Sequence, residues 1–231
     1  MDTRFWGPDG WKLLHSIAYN YPSNPSIKNK SIVKNFFNTL PYVLPCVYCR
    51  NSLVKYFKEL PVENALDNRN SLFKWLYNIH NKVNSKLRKQ KLNKKKDPSF
   101  NQIRNFYKNY TSKKLRNCDD TPGLIFMYSI AFNYPLNKED FKTKVRLKKH
   151  KIFLKLLANL YPFPDFKKKY TKIINNVNID FILSRRYYFK RWLHNLNKTI
   201  NSKCASYKDT CKMIEIYRAS CKIKTCRKKK S

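Results

Sequence analysis

The sequence predicts an all-α protein, and three observations carry that expectation. Apolar residues recur at three- and four-residue spacing along most of the chain. Proline, serine and asparagine stand where helices would begin. A 231-residue chain with 42% hydrophobic and 15% aromatic residues has enough apolar surface for real cores. The pattern divides into an N-terminal bundle of four to five helices over residues 1–112 and a second helical domain over residues 118–231.

In order, Trp11, Leu14, His15, Ala18 and Tyr19 follow Pro8-Asp9-Gly10 and predict a first amphipathic helix ending near Tyr21-Pro22. Ile32, Val33, Phe36, Phe37 and Leu40 predict a second, and a third starts at Cys46 and carries Leu53, Val54 and Phe57 before Pro61. The fourth runs from about Ser71 through Trp75, Leu76, Ile79 and Val83 to Leu87, with Asn70 or Ser71 as its N-cap. After a lysine-rich loop, a fifth covers Phe100 to Tyr110.

Composition excludes some functions. Three glycines, Gly7, Gly10 and Gly123, cannot build a G-x-G-x-x-G or Walker loop, so a nucleotide cofactor would have to be held by side chains on helices. The N-terminus lacks a basic segment followed by an apolar run, and no stretch reaches the length of a membrane span, which predicts a soluble product without a signal peptide. The formal charge of +36 is chiefly lysine spread beside abundant Asn, Ile and Tyr, as an AT-rich genome would impose. The densest runs, Lys86 to Lys96 and Arg227 to Lys230, read as solvated loops or tails that would bind nucleic acid non-specifically at most.

Chemistry enters at Leu44-Pro45-Cys46-Val47-Tyr48-Cys49. A C-x-x-C opening a helix places thiols where unpaired N–H groups and the macrodipole favour a thiolate, and a resolving partner three residues on allows disulfide exchange. Half of a zinc site is an alternative, but the next cysteine is Cys118 and no second knuckle follows. Two inert buried cysteines are another. Seven cysteines in all suit redox chemistry better than a passive scaffold.

Two polar groups sit on these apolar helices. Trp11 and His15 are an i, i+4 pair, as are His80 and Asn84, with Asn81 alongside. A lone histidine on an apolar face is more often a satisfied core residue. Two helices each carrying one, with a tryptophan and paired asparagines, offer the stacking surface and hydrogen-bonding edges that a planar cofactor needs.

Trp6-Gly7-Pro8-Asp9-Gly10-Trp11-Lys12-Leu13-Leu14-His15, then Tyr21-Pro22, Pro45-Cys46-Val47-Tyr48-Cys49 and His80-Asn81-Lys82-Val83-Asn84-Ser85-Lys86-Leu87 occur in an order that resembles the Erv/ALR-type FAD-linked sulfhydryl oxidases, over about the first 110 residues. Most similar are the versions of large cytoplasmic DNA viruses. The resemblance implies a helical bundle around FAD, with Trp6, Gly7, Trp11 and His15 on one side of the flavin nucleotide and His80, Asn81, Val83, Asn84 and Lys86 on the other. Tyr107 would be an aromatic neighbour. It implies that a substrate dithiol attacks the Cys46–Cys49 disulfide at the more exposed Cys46, that Cys49 faces the flavin, and that molecular oxygen is reduced to hydrogen peroxide. Protein dithiols, including viral proteins, would be the partners, in the host cytoplasm, viral factory or virion. The chain departs from cellular relatives in having Tyr77 and Gln102 near the places of a structural disulfide.

The second half carries an internal repeat. Ser129 to Pro135 echoes Ser16 to Pro22, and Trp192-Leu193 with Asn201-Ser202-Lys203 echoes Trp75-Leu76 with Asn84-Ser85-Lys86, 117 residues on. Pro162 answers Pro45 at the same offset, where Phe163 and Phe166 replace Cys46 and Cys49, Asn197 replaces His80 and Lys198 replaces Asn81; in the Ser16-to-Ser129 echo, Tyr128 likewise replaces His15. This reads as a degenerate copy that keeps the scaffold and loses the chemical groups, against an unrelated helical domain of similar composition. Such a copy would make an intramolecular pseudo-dimer, the alternative being a homodimer. Cys221 and Cys226 could form a shuttle dithiol on the tail, or Cys204, Cys211, Cys221 and Cys226 could pair structurally. A thiol oxidase leads; a basic helical nucleic-acid- or virion-binding protein and a structural zinc protein stay open.

Overall fold

The computed structural model describes residues 3–93, 95–112, 121–135, 141–200 and 204–219, and among these every regular element is helical. The first half comprises α1 (Thr3–Tyr19), α2 (Ile27–Phe37), α3 (Leu40–Val43), α4 (Val47–Glu59), a 3₁₀ turn at Val62–Ala65, α5 (Arg69–Lys89) and α6 (Phe100–Thr111). The second has α7 (Leu124–Phe132), α8 (Phe141–Leu160), α9 (Pro164–Asn175), α10 (Ile179–Ile182), α11 (Arg186–Ile200) and α12 (Tyr207–Ala219).

Several boundaries differ from the periodicity reading, each for a local reason. α1 begins at Thr3 and runs through Pro8, because Trp6 is buried in a stack on Phe126 with ring centroids 5.6 Å apart. The second apolar run splits: Ser26 and Asn29 form a capping box that starts α2 at Ile27, and Leu40 opens the separate α3. Cys46 is the N-cap of α4 rather than its first helical residue. α5 starts at Arg69, since Asn68 accepts a 3.0 Å bond from the Ser71 N–H, and it continues through Lys89 into the expected lysine loop.

α1 packs on α5 and α6, while α1, α2 and α3 also pack on α7 and α8, so buried side chains of both halves form one continuous core. Asp9 joins them. Its carboxylate accepts 2.9 Å bonds from the N–H groups of Gly123 and Phe126 at the start of α7, where that helix's unpaired N–H groups need acceptors. Burial raises the Asp9 pKa from its ordinary value, and those backbone bonds oppose the rise.

Paired interactions recur between the halves. Tyr21 donates its hydroxyl to Leu66 O at 2.9 Å while Arg69 Nε donates to Tyr21 O at 2.8 Å. In the second half Tyr134 donates to Leu183 O at 2.8 Å and Arg186 Nε to Tyr134 O at 2.7 Å. The His15–His80 contact has its counterpart in Asn197 Nδ2 donating to the Tyr128 hydroxyl at 3.4 Å. The echo at Asn201-Ser202-Lys203 lies outside the described residues.

Candidate active site

Helices α1, α4, α5 and α6 carry most of the lining of a cavity of about 760 Å³, within the range typical of small-molecule sites. Leu40 of α3 and Phe126 of α7 also contribute to it. α1 contributes Trp6, Gly7 and Trp11; α4 contributes Cys49 and Ser52; α5 contributes His80, Val83, Asn84 and Lys86; α6 contributes Tyr107. Helical spacing explains this gathering, because residues three and four apart share a face, as Ile79 and Val83 or His80 and Asn84 do. The rest of the wall is largely apolar, with Leu14, Leu53, Phe57 and Leu76 in it.

The expected cofactor residues are mostly brought together. Trp11 and His80 stack with centroids 3.9 Å apart and planes 10° from parallel. His15 lies behind them, fully buried, with Nε2 3.2 Å from His80 Nδ1 and its ring 5.0 Å from that of Tyr107. It supports the wall rather than lining the cavity. Asn81 does not line it either: one helical step of about 100° past His80 turns it away from the cavity face. Asn84 Nδ2 donates to Asp97 Oδ1 at 2.8 Å, and Lys86 Nζ donates to Ser52 Oγ at 2.6 Å.

Burial lowers the pKa of both histidines, His80 to about 4, and the like charge His80 would carry lowers His15 further. The two rings are therefore neutral near pH 7, one N–H serving the short contact between them.

The cysteine pair corrects one expectation. Cys46 is the less exposed of the two, 4% accessible and held in extended backbone between Pro45 and the helix, while Cys49, at the third helical position, is half-buried and faces the cavity. As an N-cap, Cys46 is drawn toward the core alongside Leu44 and Val43, which are both buried. Cys118, Cys221 and Cys226 lie outside the described residues; Cys204 accepts a 3.0 Å bond from Asn197 Nδ2, and Cys211 sits on α12.

Sequence reasoning missed Arg4, Lys12, Gln90 and Asn93, which also line the cavity. Arg4 and Lys12 could have been found as positions near Trp11 on the same helix, but only once the start of α1 was known. At Tyr77, where a disulfide was expected to be missing, the hydroxyl donates to Pro98 O at 2.8 Å and ties the α5–α6 connection.

Among the described residues the wall carries three cations, Arg4, Lys12 and Lys86, and no carboxylate. Together with the flat Trp11–His80 surface, it suits a ligand that joins a planar ring to an anionic group. The fold and site together are a helical bundle in which the second cysteine of a helix-start C-x-x-C lines such a cavity. Residues 8–107 match the model of the Erv1 / Alr family. Relatives include the putative FAD-linked sulfhydryl oxidase 347L of Invertebrate iridescent virus 6, 30% identical over 94 residues, covering 38% of this chain and 85% of the relative. The putative FAD-linked sulfhydryl oxidase 096R of Invertebrate iridescent virus 3 is 32% identical over 92 residues, 40% of this chain and 62% of the relative. The mitochondrial FAD-linked sulfhydryl oxidase ERV1 of Saccharomyces cerevisiae is 38% identical over 90 residues, 39% of this chain and 47% of the relative. The chain belongs to the Erv1/Alr family. It spans less than two thirds of the length of the last two relatives.

Proposed function

We propose that this chain is an FAD-dependent sulfhydryl oxidase that makes disulfides in protein substrates. The observation that carries the reading is the placement of Cys49, three residues into α4, on the wall that also holds the Trp11–His80 stack. The donor set fits FAD: apolar and aromatic walls for a ring system, and Arg4, Lys12 and Lys86 for a diphosphate, in a cavity of suitable volume. When bound, FAD accepts two electrons and returns them to oxygen, so the balanced reaction is two thiols plus O₂ to one disulfide plus H₂O₂.

The chain's own residues do the rest. A substrate thiolate attacks Cys46, a mixed disulfide forms and Cys49 leaves as a thiolate beside the cavity; a second substrate thiol then releases the oxidised substrate and leaves Cys46 reduced. Because Cys46 is covered, substrate entry requires the Leu44–Cys46 segment to give locally. Trp11 and His80 supply the stacking face, Asn84 is oriented by Asp97, and Tyr107 holds α6 against α1 through a 3.5 Å bond to Trp11 O.

We further propose that the second half is a degenerate copy standing where a second chain would stand. The recurring Tyr–Arg bonds support this reading, as does the replacement of both cysteines by buried Phe163 and Phe166. Substrates would be protein dithiols made by the virus whose relatives it resembles, met in infected-cell cytoplasm. Among the described residues no helix is long and apolar enough to cross a membrane.

The test is an absorption spectrum of the purified chain before and after anaerobic dithiothreitol, with oxygen uptake on readmission of air. A flavin band that bleaches and returns, with uptake abolished in Cys49→Ser, is the expected result. Colourless protein from cells supplied with ample flavin overturns the reading.

A further inference from the structure

Two guanidinium groups that are not part of the cavity lining converge on the chain that leads into the cysteine pair. Arg50, directly after Cys49, donates from Nη1 to Leu44 O at 2.8 Å. Arg146, on α8 of the second half, donates from Nε to Tyr42 O at 3.0 Å, and Lys149 of the same helix lies 5.3 Å over the Tyr42 ring. Both arginines thereby hold carbonyls at the end of α3 and fix the approach of residues 42–45 to Cys46.

Each arginine is partly buried, and among the described residues neither forms an ion pair with a carboxylate. Burial lowers the Arg50 pKa, and the groups that pull it back up are Cys46 and Cys49. Burial, and then Arg50, lowers Arg146 to about 10, with Tyr134 opposing. Another titratable neighbour, His150, donates from Nδ1 to Arg146 O at 2.7 Å and is kept neutral by burial. Two half-desolvated cations without an acidic partner are costly. The anion that can offset Arg50 here is the thiolate that the reduced cysteine pair carries, and Arg146, set against Arg50, adds its charge to the same end of α3, so cost in the disulfide form becomes stabilisation in the reduced form.

We propose that Arg50 and Arg146 act as positioning residues that tune the thiol–disulfide equilibrium of Cys46–Cys49, with Arg146 lent to the site by the second half of the chain. This rests on the oxidase reading for its purpose, though the equilibrium itself exists with or without turnover. The degenerate half thus contributes to the chemistry through a charge, despite having lost its own cysteines. Stabilising the dithiolate makes the disulfide a stronger oxidant toward substrate thiols.

The test equilibrates the full-length chain and its variants in glutathione redox buffers and counts reduced Cys46 and Cys49 by alkylation and peptide mass spectrometry, which separates them from the tail cysteines. Arg50→Gln is expected to shift the equilibrium about tenfold toward disulfide, a change of about 30 mV; Arg146→Gln shifts it about threefold. The pH midpoint of alkylation should rise in both. Arg50→Lys and Arg146→Lys, which keep the charge, should recover most of each shift. Glutamine variants that lose thermal stability while equilibrium and midpoint stay put would reduce both arginines to structural struts and overturn the proposal. Wild-type chain with a well-defined equilibrium but no oxygen uptake would overturn the oxidase reading instead, leaving this one standing.

Discussion

At the scale of the residue, the site is built on two neutral histidines. Folding lowers the proton affinity of His80 from 6.5 to about 4, and burial lowers that of His15 in the same direction. Below about pH 6.5 the unfolded chain binds protons that the folded chain does not, so this part of the stability is complete above that pH and is lost as pH falls toward 4. His80 alone would cost about 3 kcal/mol by the lower limit, at roughly 1.4 kcal/mol per unit. Thermal unfolding followed from pH 8 to 4 should therefore show a flat midpoint above neutrality and a steep fall below 6.5. His80→Asn, which copies the residue at Asn197, should shrink the fall; a midpoint unchanged down to pH 4.5 would mean that the pair is not buried neutral. Trp11→Ala removes one face of a stack at 3.9 Å. It should weaken flavin retention at least tenfold in gel filtration while leaving the helical circular dichroism intact.

At the scale of the element, what was legible followed from local periodicity, and what was not depended on contacts across the fold. Helices α4, α5 and α6 could be read because Leu53, Leu76, Ile79 and Tyr107 face the core at regular spacing. The start of α1 could not, because Pro8 argues for a break and only the burial of Trp6 on Phe126 decides otherwise. The exposure of Cys46 was misjudged since a cap residue takes its burial from the loop before it. Arg146 is invisible to motif reading, as it reaches Tyr42 from 104 residues away. Asp9 is similar: within α1 it looks like a surface acid, yet it caps α7. Asp9→Ala should cost about 1–2 kcal/mol in chemical denaturation, the range for losing a helix cap. Asp9→Asn should retain part of that, since its amide oxygen can still accept one of the two bonds. Equal losses for both would point to charge, not capping.

At the scale of the whole molecule, the contacts between the halves have the reciprocity of a two-fold interface. Leu13 and Phe126 occupy equivalent places in α1 and α7, as do Gly10 and Gly123. A Cβ on Gly10 would press Phe126 at 3.2 Å, and one on Gly123 would collide with Leu13. Phe36 and Phe153, equivalent at an offset of 117, stack on each other with centroids 5.3 Å apart. In a symmetric dimer each patch meets its own copy; on the proposed reading the second half takes that place, and the face formed by α1, α2 and α3 is already covered by α7 and α8. The full chain should therefore sediment as a 27.9 kDa monomer with one flavin. Gly123→Ala attacks this junction twice, through the clash with Leu13 and through a left-handed backbone of φ 89° that alanine resists. It should destabilise by several kcal/mol, and the loosened chain should begin to associate through the uncovered face. A stable dimer of the unmutated chain at micromolar concentration would show that another surface pairs two copies, and that the second half adds to the dimer instead of replacing it.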